Sequence, residues 1–376
     1  MRKIEHENSK KNSEKLRKKH HKKFLKNNFL IKKCLISNIM GIPCVNAPTE
    51  VVFDDISNID TDAFLKELKD VLNKNPKKIY LSFKNTKLLN AMALLIIYSI
   101  IDRARIINCN DFDVIIIRSK NTRQVNKTIV NSGSFKLASA REKKGLLINN
   151  NSRSLPVIMG SNARAAELSD LITSSILINY FPEDKSPEKE YEIADAIQET
   201  IENVGRHAYP EVNEHDKKYW WICCDRIGKN LFLVIYDCGL GIPDSLLNSE
   251  HNKVFLDRIN DLYPNEYVSC VEGNASDNKI KKLVSTVKVN ILRKRLSDGQ
   301  LIRAAMHNNF SSTAKCHHGQ GSKSIKNLIK ENDKDSFLLM LSDHGFYRYR
   351  KDTVDDHKNI KFLSMKVPGT LIQWSI

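Results

Sequence analysis

Glu199, Asn203 and His207 stand four residues apart in the run Gln198–Tyr209. At about 3.6 residues per helical turn, that spacing sets three polar heads along one side of a helix. A carboxylate one turn from a carboxamide can serve a nucleotide. The carboxylate orients or deprotonates a nucleophile, and the amide oxygen can ligate Mg²⁺, a hard cation that takes oxygen ligands. The same spacing also fits an ordinary solvated helix face. Ile193, Ala194, Ile197, Ile201 and Val204 recur at helical spacing on another face, so the segment reads as one amphipathic helix.

Two later motifs bear on that choice. The strand-like run Leu231–Tyr236 is followed by Asp237-Cys238-Gly239-Leu240-Gly241-Ile242-Pro243. Two glycines after a buried strand allow a tight turn and close backbone approach by a flat ligand. An acid at the strand end can accept a hydrogen bond from an exocyclic amine. The bland alternative is a Gly-Pro turn with an Asp cap. The second motif is His318-Gly319-Gln320-Gly321-Ser322-Lys323, which opens a helix whose apolar residues are Ile325, Leu328 and Ile329. Free N–H groups and the positive dipole end at a glycine-rich helix start suit phosphate. Its alternative is a plain loop before a surface helix.

In order and spacing the three motifs resemble the nucleotide-binding domain of the GHKL ATPase superfamily (gyrase B, heat-shock chaperone, histidine kinase, mismatch-repair ATPase). The helix resembles its N box, ExxxNxxxHA, and residues 237–243 resemble its DxGxGIP box. His318–Ser322 resembles the second glycine box. Ser336–Tyr349 resembles the strand pair that follows it, and Pro368–Trp374 the closing strand with its Gly-Thr. The resemblance spans residues 188–376. It implies ATP and Mg²⁺ as cofactors, with Glu199 activating a water or hydroxyl and Asn203 ligating Mg²⁺. It further implies that Asp237 binds the adenine amine, with Thr370 beside it. Gly239 and Gly241 would admit the base, and Gly319 and Gly321 would meet phosphates. His207 fits either a lid- or phosphate-positioning role or a satisfied helix histidine. Ser322 stands where the family has a small apolar residue.

The implied lid, 244–318, is long. It carries an expected helix at 281–296, a shorter stretch at 301–309, and a hydroxyl cluster Ser311-Ser312-Thr313 like the family's lid hinge. Lids of this kind close on nucleotide and are places where dimerisation or partner docking is read out.

Thirteen Lys/Arg against three Glu within residues 1–33 supply +10 of the chain's +16. The basicity is therefore largely an N-terminal arm, 1–45, suited to nucleic acid or an anionic membrane, or simply solvated. The arm lacks the apolar core of a signal peptide. The most apolar run, Leu88–Ile101, is too short to span a bilayer. The eight cysteines show no CxxC spacing and fit a reducing cytoplasm. Adjacent residues such as Cys316-His317-His318 rarely share one metal.

Residues 46–150 alternate strand and helix: strands near 51–54, 78–83 and 113–118, helices near 63–72, 88–103 and 125–135. The pattern argues helices packed on a small sheet. It resembles a STAS-type domain, the fold of anti-sigma-factor antagonists. That resemblance implies a phosphorylated serine near the second helix start, where Leu88-Leu89-Asn90 stand with only Thr86 nearby. The domain therefore reads as a docking or regulatory unit. Residues 151–187 read as a linker with a helix at 163–177.

The expected fold is a C-terminal α/β two-layer sandwich of Bergerat type, preceded by the STAS-like α/β domain and the arm. The expected function is an Mg²⁺-dependent ATPase acting as a conformational switch on a protein partner, through the STAS-like domain or the lid, with homodimerisation open. Two alternatives use the same site: a serine/threonine kinase of the anti-sigma type, and an ATP-gated nucleic-acid-binding protein. A bacterial signalling or defence setting follows by analogy.

Overall fold

The structure is a computed structural model. It describes residues 36–53, 59–109, 111–136, 154–180, 187–227, 230–248, 259, 262–263, 293, 295–306, 321–330, 336–351 and 359–376.

The first unit is built on a four-stranded sheet. Strands β1 (Ile36–Ile39) and β2 (Ile42–Asn46) form an antiparallel hairpin. Its turn residues Met40 and Gly41 both have positive φ, as the twist of a two-residue hairpin loop requires. After the short strand β3 (Glu50–Val51) come helix α1 (Ile59–Leu72), strand β4 (Lys78–Ser82) and the short strand β5 (Leu88–Leu89). Helix α2 (Ala91–Asn108), strand β6 (Asp113–Ile117) and helix α3 (Arg123–Asn131) complete the unit. The order is β1-β2-β4-β6, with β2, β4 and β6 parallel, while β3 and β5 pair separately. Pairing of Leu88 and Leu89 with β3 explains why α2 starts later than its apolar run suggests. Asn90 then caps the helix, its side chain accepting from Ala93 N at 2.9 Å.

The second unit is a five-stranded antiparallel sheet. Its elements run β7 (Ser154–Ser161), α4 (Ala165–Tyr180), α5 (Pro187–Asn203), β8 (Tyr219–Ile227), β9 (Asn230–Asp237) and α6 (Ile242–Asn248). They continue with α7 (Asp298–Ala305), α8 (Gly321–Lys330), β10 (Phe337–Tyr349) and β11 (Ile360–Ser375). The strand order is β10-β11-β9-β8-β7. Side chains alternate across it, as the period of two demands. Trp220, Ile222, Leu233, Ile235, Met340 and Trp374 face a core shared with α4, α5 and α8. Trp221, Cys223, Val234, Tyr236, Leu341 and Leu371 face the other way, into the core of the first unit.

The chain therefore stacks sheet, helices, sheet and helices. Helix α2 is buried on nearly every side because it lies between the two sheets, and a helix apolar all round needs such cover. Each Leu or Ile buried there contributes roughly 1.5–3 kcal/mol relative to exposure. A polar tie crosses this core. Trp221 Nε1 donates to Asp102 Oδ2 at 3.0 Å, and Arg105 lies 3.4 Å from the other carboxylate oxygen.

Several expectations change. Strands β1 and β2 lie in the stretch expected to belong to the arm, because their backbone completes the first sheet's edge. Likewise β7 lies in the expected linker and forms the edge of the second sheet. The expected strand pair at 336–349 is one long strand, β10. Register shifts at Ser342–Gly345, with Asp343 at φ 52, bend it without ending its pairing with β11. The expected stretch at 301–309 begins earlier, as α7, because Ser297 and Gln300 form a capping box. Helix α7 docks backbone-to-backbone on the β10 bend: a Cβ on Gly345 would stand 2.6 Å from Asp298 C. Most of the expected lid helix, the Ser311–Thr313 cluster, the Cys316–His318 run and the basic arm lie outside the described residues.

Candidate functional site

Asp237 ends β9, where the strand leaves the sheet and the chain turns through two glycines. Its side chain is buried at 4% exposure, and Oδ1 accepts from Gly239 N at 2.8 Å. Thr370, its partner across the β9–β11 ladder, adds backbone and side-chain hydrogen bonds to the carboxylate. Burial pushes the Asp237 pKa up to about 7, and these bonds only partly oppose it. The acid therefore sits near its titration point at neutral pH, a property characteristic of functional sites.

The glycines are required by contact. A Cβ on Gly239 would lie 2.2 Å from Ala208 O, and one on Gly369 would lie 2.1 Å from Asp237 O. Gly241 and Gly369 have φ of 86° and 79°, left-handed values that favour glycine. Ser342 joins these turns: its hydroxyl donates to Gly369 O at 2.7 Å and accepts from Ile242 N at 2.9 Å.

Helix α5 supplies the other half. Ile193, Ala196, Ile197 and Ile201 are buried, which turns Glu199 and Asn203 together toward the partly exposed side. The Asn203 side chain hydrogen-bonds Glu199. Arg206 reaches back, with Nη1 at 3.5 Å from Glu199 Oε1 and Nη2 on Glu202. Burial raises the Glu199 pKa; Arg206 opposes that shift, and Glu202 and Asp195 add to it. Burial lowers the His207 pKa and Arg206 lowers it further, both favouring the neutral imidazole. It can donate or accept a hydrogen bond there but brings no positive charge.

The two halves meet through an irregular turn. After Asn203 the helix widens into π geometry over Val204–Ala208. Turns of this kind release carbonyls from the regular ladder and recur at functional sites. Ala208 O accepts from Leu240 N, inside the glycine turn, at 2.7 Å. Tyr209 then spans the junction: its hydroxyl donates to Tyr219 O at 2.8 Å and accepts from Cys238 N at 3.3 Å.

Gly321 is the first residue of α8, which packs along α5, with Ile325, Leu328 and Ile329 in the same core. Gly319 lies outside the described residues. Thr86 is fully buried, and its hydroxyl donates to Pro48 O at 2.8 Å, so it presents no acceptor at the start of α2. Ser342, Arg206, Asn162 and Lys218 are parts of this neighbourhood for which the spacing of motifs gave no signal. The sequence signal that could have found them is Gly205, a glycine inside a helical pattern, where something approaches the helix closely.

Among the described residues no group of three or more His, Cys, Asp or Glu could hold a metal ion. No described helix is long and apolar enough to cross a membrane. Comparison with protein-family models, curated proteins and solved structures finds no match.

Proposed function

We propose that residues 188–376 bind ATP with Mg²⁺ in a GHKL-type site and hydrolyse it, and that the chain acts as a nucleotide-driven switch on a protein partner. The observation that carries this reading is Asp237. A buried carboxylate is costly unless something uses it. Here it ends a strand, beside two turns that cannot carry a Cβ, and those turns touch the helix that bears Glu199 and Asn203.

In this reading Asp237 accepts from the adenine amine, with Thr370 beside it, and the Gly239 and Gly241 backbone lies against the base. The Asn203 amide fits Mg²⁺, which keeps several waters and takes one or two protein oxygens alongside phosphates. Glu199 orients and deprotonates the attacking water; its raised pKa makes it a better proton acceptor once ionised. Phosphoryl transfer needs mainly positioning and charge neutralisation, so a partner hydroxyl could replace water at the same site. Buried Thr86 argues against a self-modified switch at the start of α2 and for the first unit as a docking or regulatory half.

Because the first unit shares a core with the back of the β9–β11 ladder, movement at the nucleotide end reaches it through packed side chains. The test is equilibrium binding of ATP and GTP with and without Mg²⁺. The reading expects ATP to be preferred, with Mg²⁺ strengthening binding. Equal binding of GTP, or none of either, would remove it.

A further inference from the structure

A lysine stands where a lysine is seldom found. Lys218 immediately precedes β8 and is buried at 8% exposure, yet its ammonium is held within the protein. Its Nζ donates to Gly205 O at 2.6 Å. Gly205 lies in the π turn that follows Asn203. A neighbouring donor holds the last turn of α5 just before it: Asn162 Nδ2 donates to Ile201 O at 2.8 Å. A Cβ on Gly205 would lie 2.5 Å from that Asn162 nitrogen, so the side chain and the turn are in close contact.

The physical logic is specific. Carbonyls at the end of a helix lack intrahelical partners and carry its negative dipole end. A cation placed there satisfies one carbonyl and gains back part of its own desolvation cost. Leu240 N, from the glycine turn, takes Ala208 O, and Asn162 ties Ile201 O in the last turn of α5. Two external donors thus hold carbonyls of the turn, and a third holds the helix just before it. That turn begins at Asn203, carries Arg206 and His207, and ends at Ala208 against Gly239.

We propose that Lys218 is a positioning residue for the nucleotide site: by holding Gly205 O it fixes the turn that sets Asn203 and the Ala208–Gly239 contact. This inference rests on the ATP-binding reading above. Lys218 touches neither base nor phosphate in this role; it acts through the turn.

The experiment is a double-mutant cycle on Mg²⁺-ATP affinity in the full chain, using Lys218→Met, Asn203→Ala and the pair, with Lys218→Arg as the charge-retaining variant. Loss of a charge-assisted bond predicts about tenfold or greater weakening for Lys218→Met, partly restored by Lys218→Arg. The discriminating result is coupling: Asn203→Ala should cost much less in the Lys218→Met background than alone. Thermal melts accompany each variant, and Lys218→Gln replaces Lys218→Met in the same cycle if the latter does not fold. Independent, multiplicative losses would mean a merely structural lysine and overturn the inference alone. Failure of the unsubstituted chain to bind Mg²⁺-ATP would remove the ATP reading, and this inference with it.

Discussion

Asp237→Asn should make the free protein more stable at alkaline pH and, on the proposed ATP-binding function, weaken nucleotide binding. The carboxyl titrates near pH 7 in the folded chain against 3.8 ordinarily. An acid with a raised folded pKa is protonated in the native state while the unfolded chain has already ionised. Stability from this group is then full below about pH 4, falls as pH rises through the interval, and is level above about 7. A difference of about three units amounts to about 4 kcal/mol at pH 8. Asparagine keeps the acceptor for Gly239 N but turns an amide nitrogen toward the Thr370 N–H, a mismatch costing roughly 1–3 kcal/mol. The net expectation is a gain on the order of 1–3 kcal/mol at pH 8, and a loss at pH 4, where only the mismatch remains. Chemical denaturation at both pH values measures this, with ATP affinity measured in parallel. ATP affinity should fall by about tenfold or more, because a charged acceptor is gone. A variant that is destabilised equally at both pH values, or that binds ATP as tightly as the parent, would refute the reasoning.

Gly239→Ala forces its Cβ onto the Ala208 carbonyl and should cost about 1–3 kcal/mol with loss of nucleotide binding, checked by thermal melting and titration. Trp221→Phe keeps the packing but strips the indole N–H from fully buried Asp102, so denaturant midpoints should report a loss of about 1–3 kcal/mol. Arg293 bridges Asp244, Asp298 and Asp343. Arg293→Met removes the cation the three share, leaving Asp343 with Lys366 and Asp298 with His344 N, so it should destabilise the α6–α7–β10 junction, and added salt should recover part of the loss by screening.

The periodic parts of this fold were legible from the chain. The apolar stripe of α5, the continuous apolar run of β9 and the strand–helix order of the first unit all follow from local pattern: burial on one helix face imposes a period, and burial of a strand on both faces removes one. The placement of Asp237 before paired glycines was legible too, since a strand end followed by two glycines constrains the backbone wherever it occurs. What local pattern does not encode is which second face a sheet covers. The back of β8 and β9 packs on α2, and nothing in Trp221 or Cys223 alone distinguishes that partner from another. The bend in β10 depends on Asp343 accepting a left-handed φ and on Gly345 meeting α7, both tertiary conditions. Lys218 and Asn162 were invisible for the same reason: each acts on a carbonyl far away in sequence.

The central claim is that this site turns over ATP by means of Glu199. Following the γ-phosphate of labelled ATP, in the intact chain with Mg²⁺ and in Glu199→Ala, tests it most directly. The account predicts free phosphate from the parent, and retained ATP binding without phosphate release from the variant. Phosphate released equally by both, or nucleotide bound by neither, would contradict it.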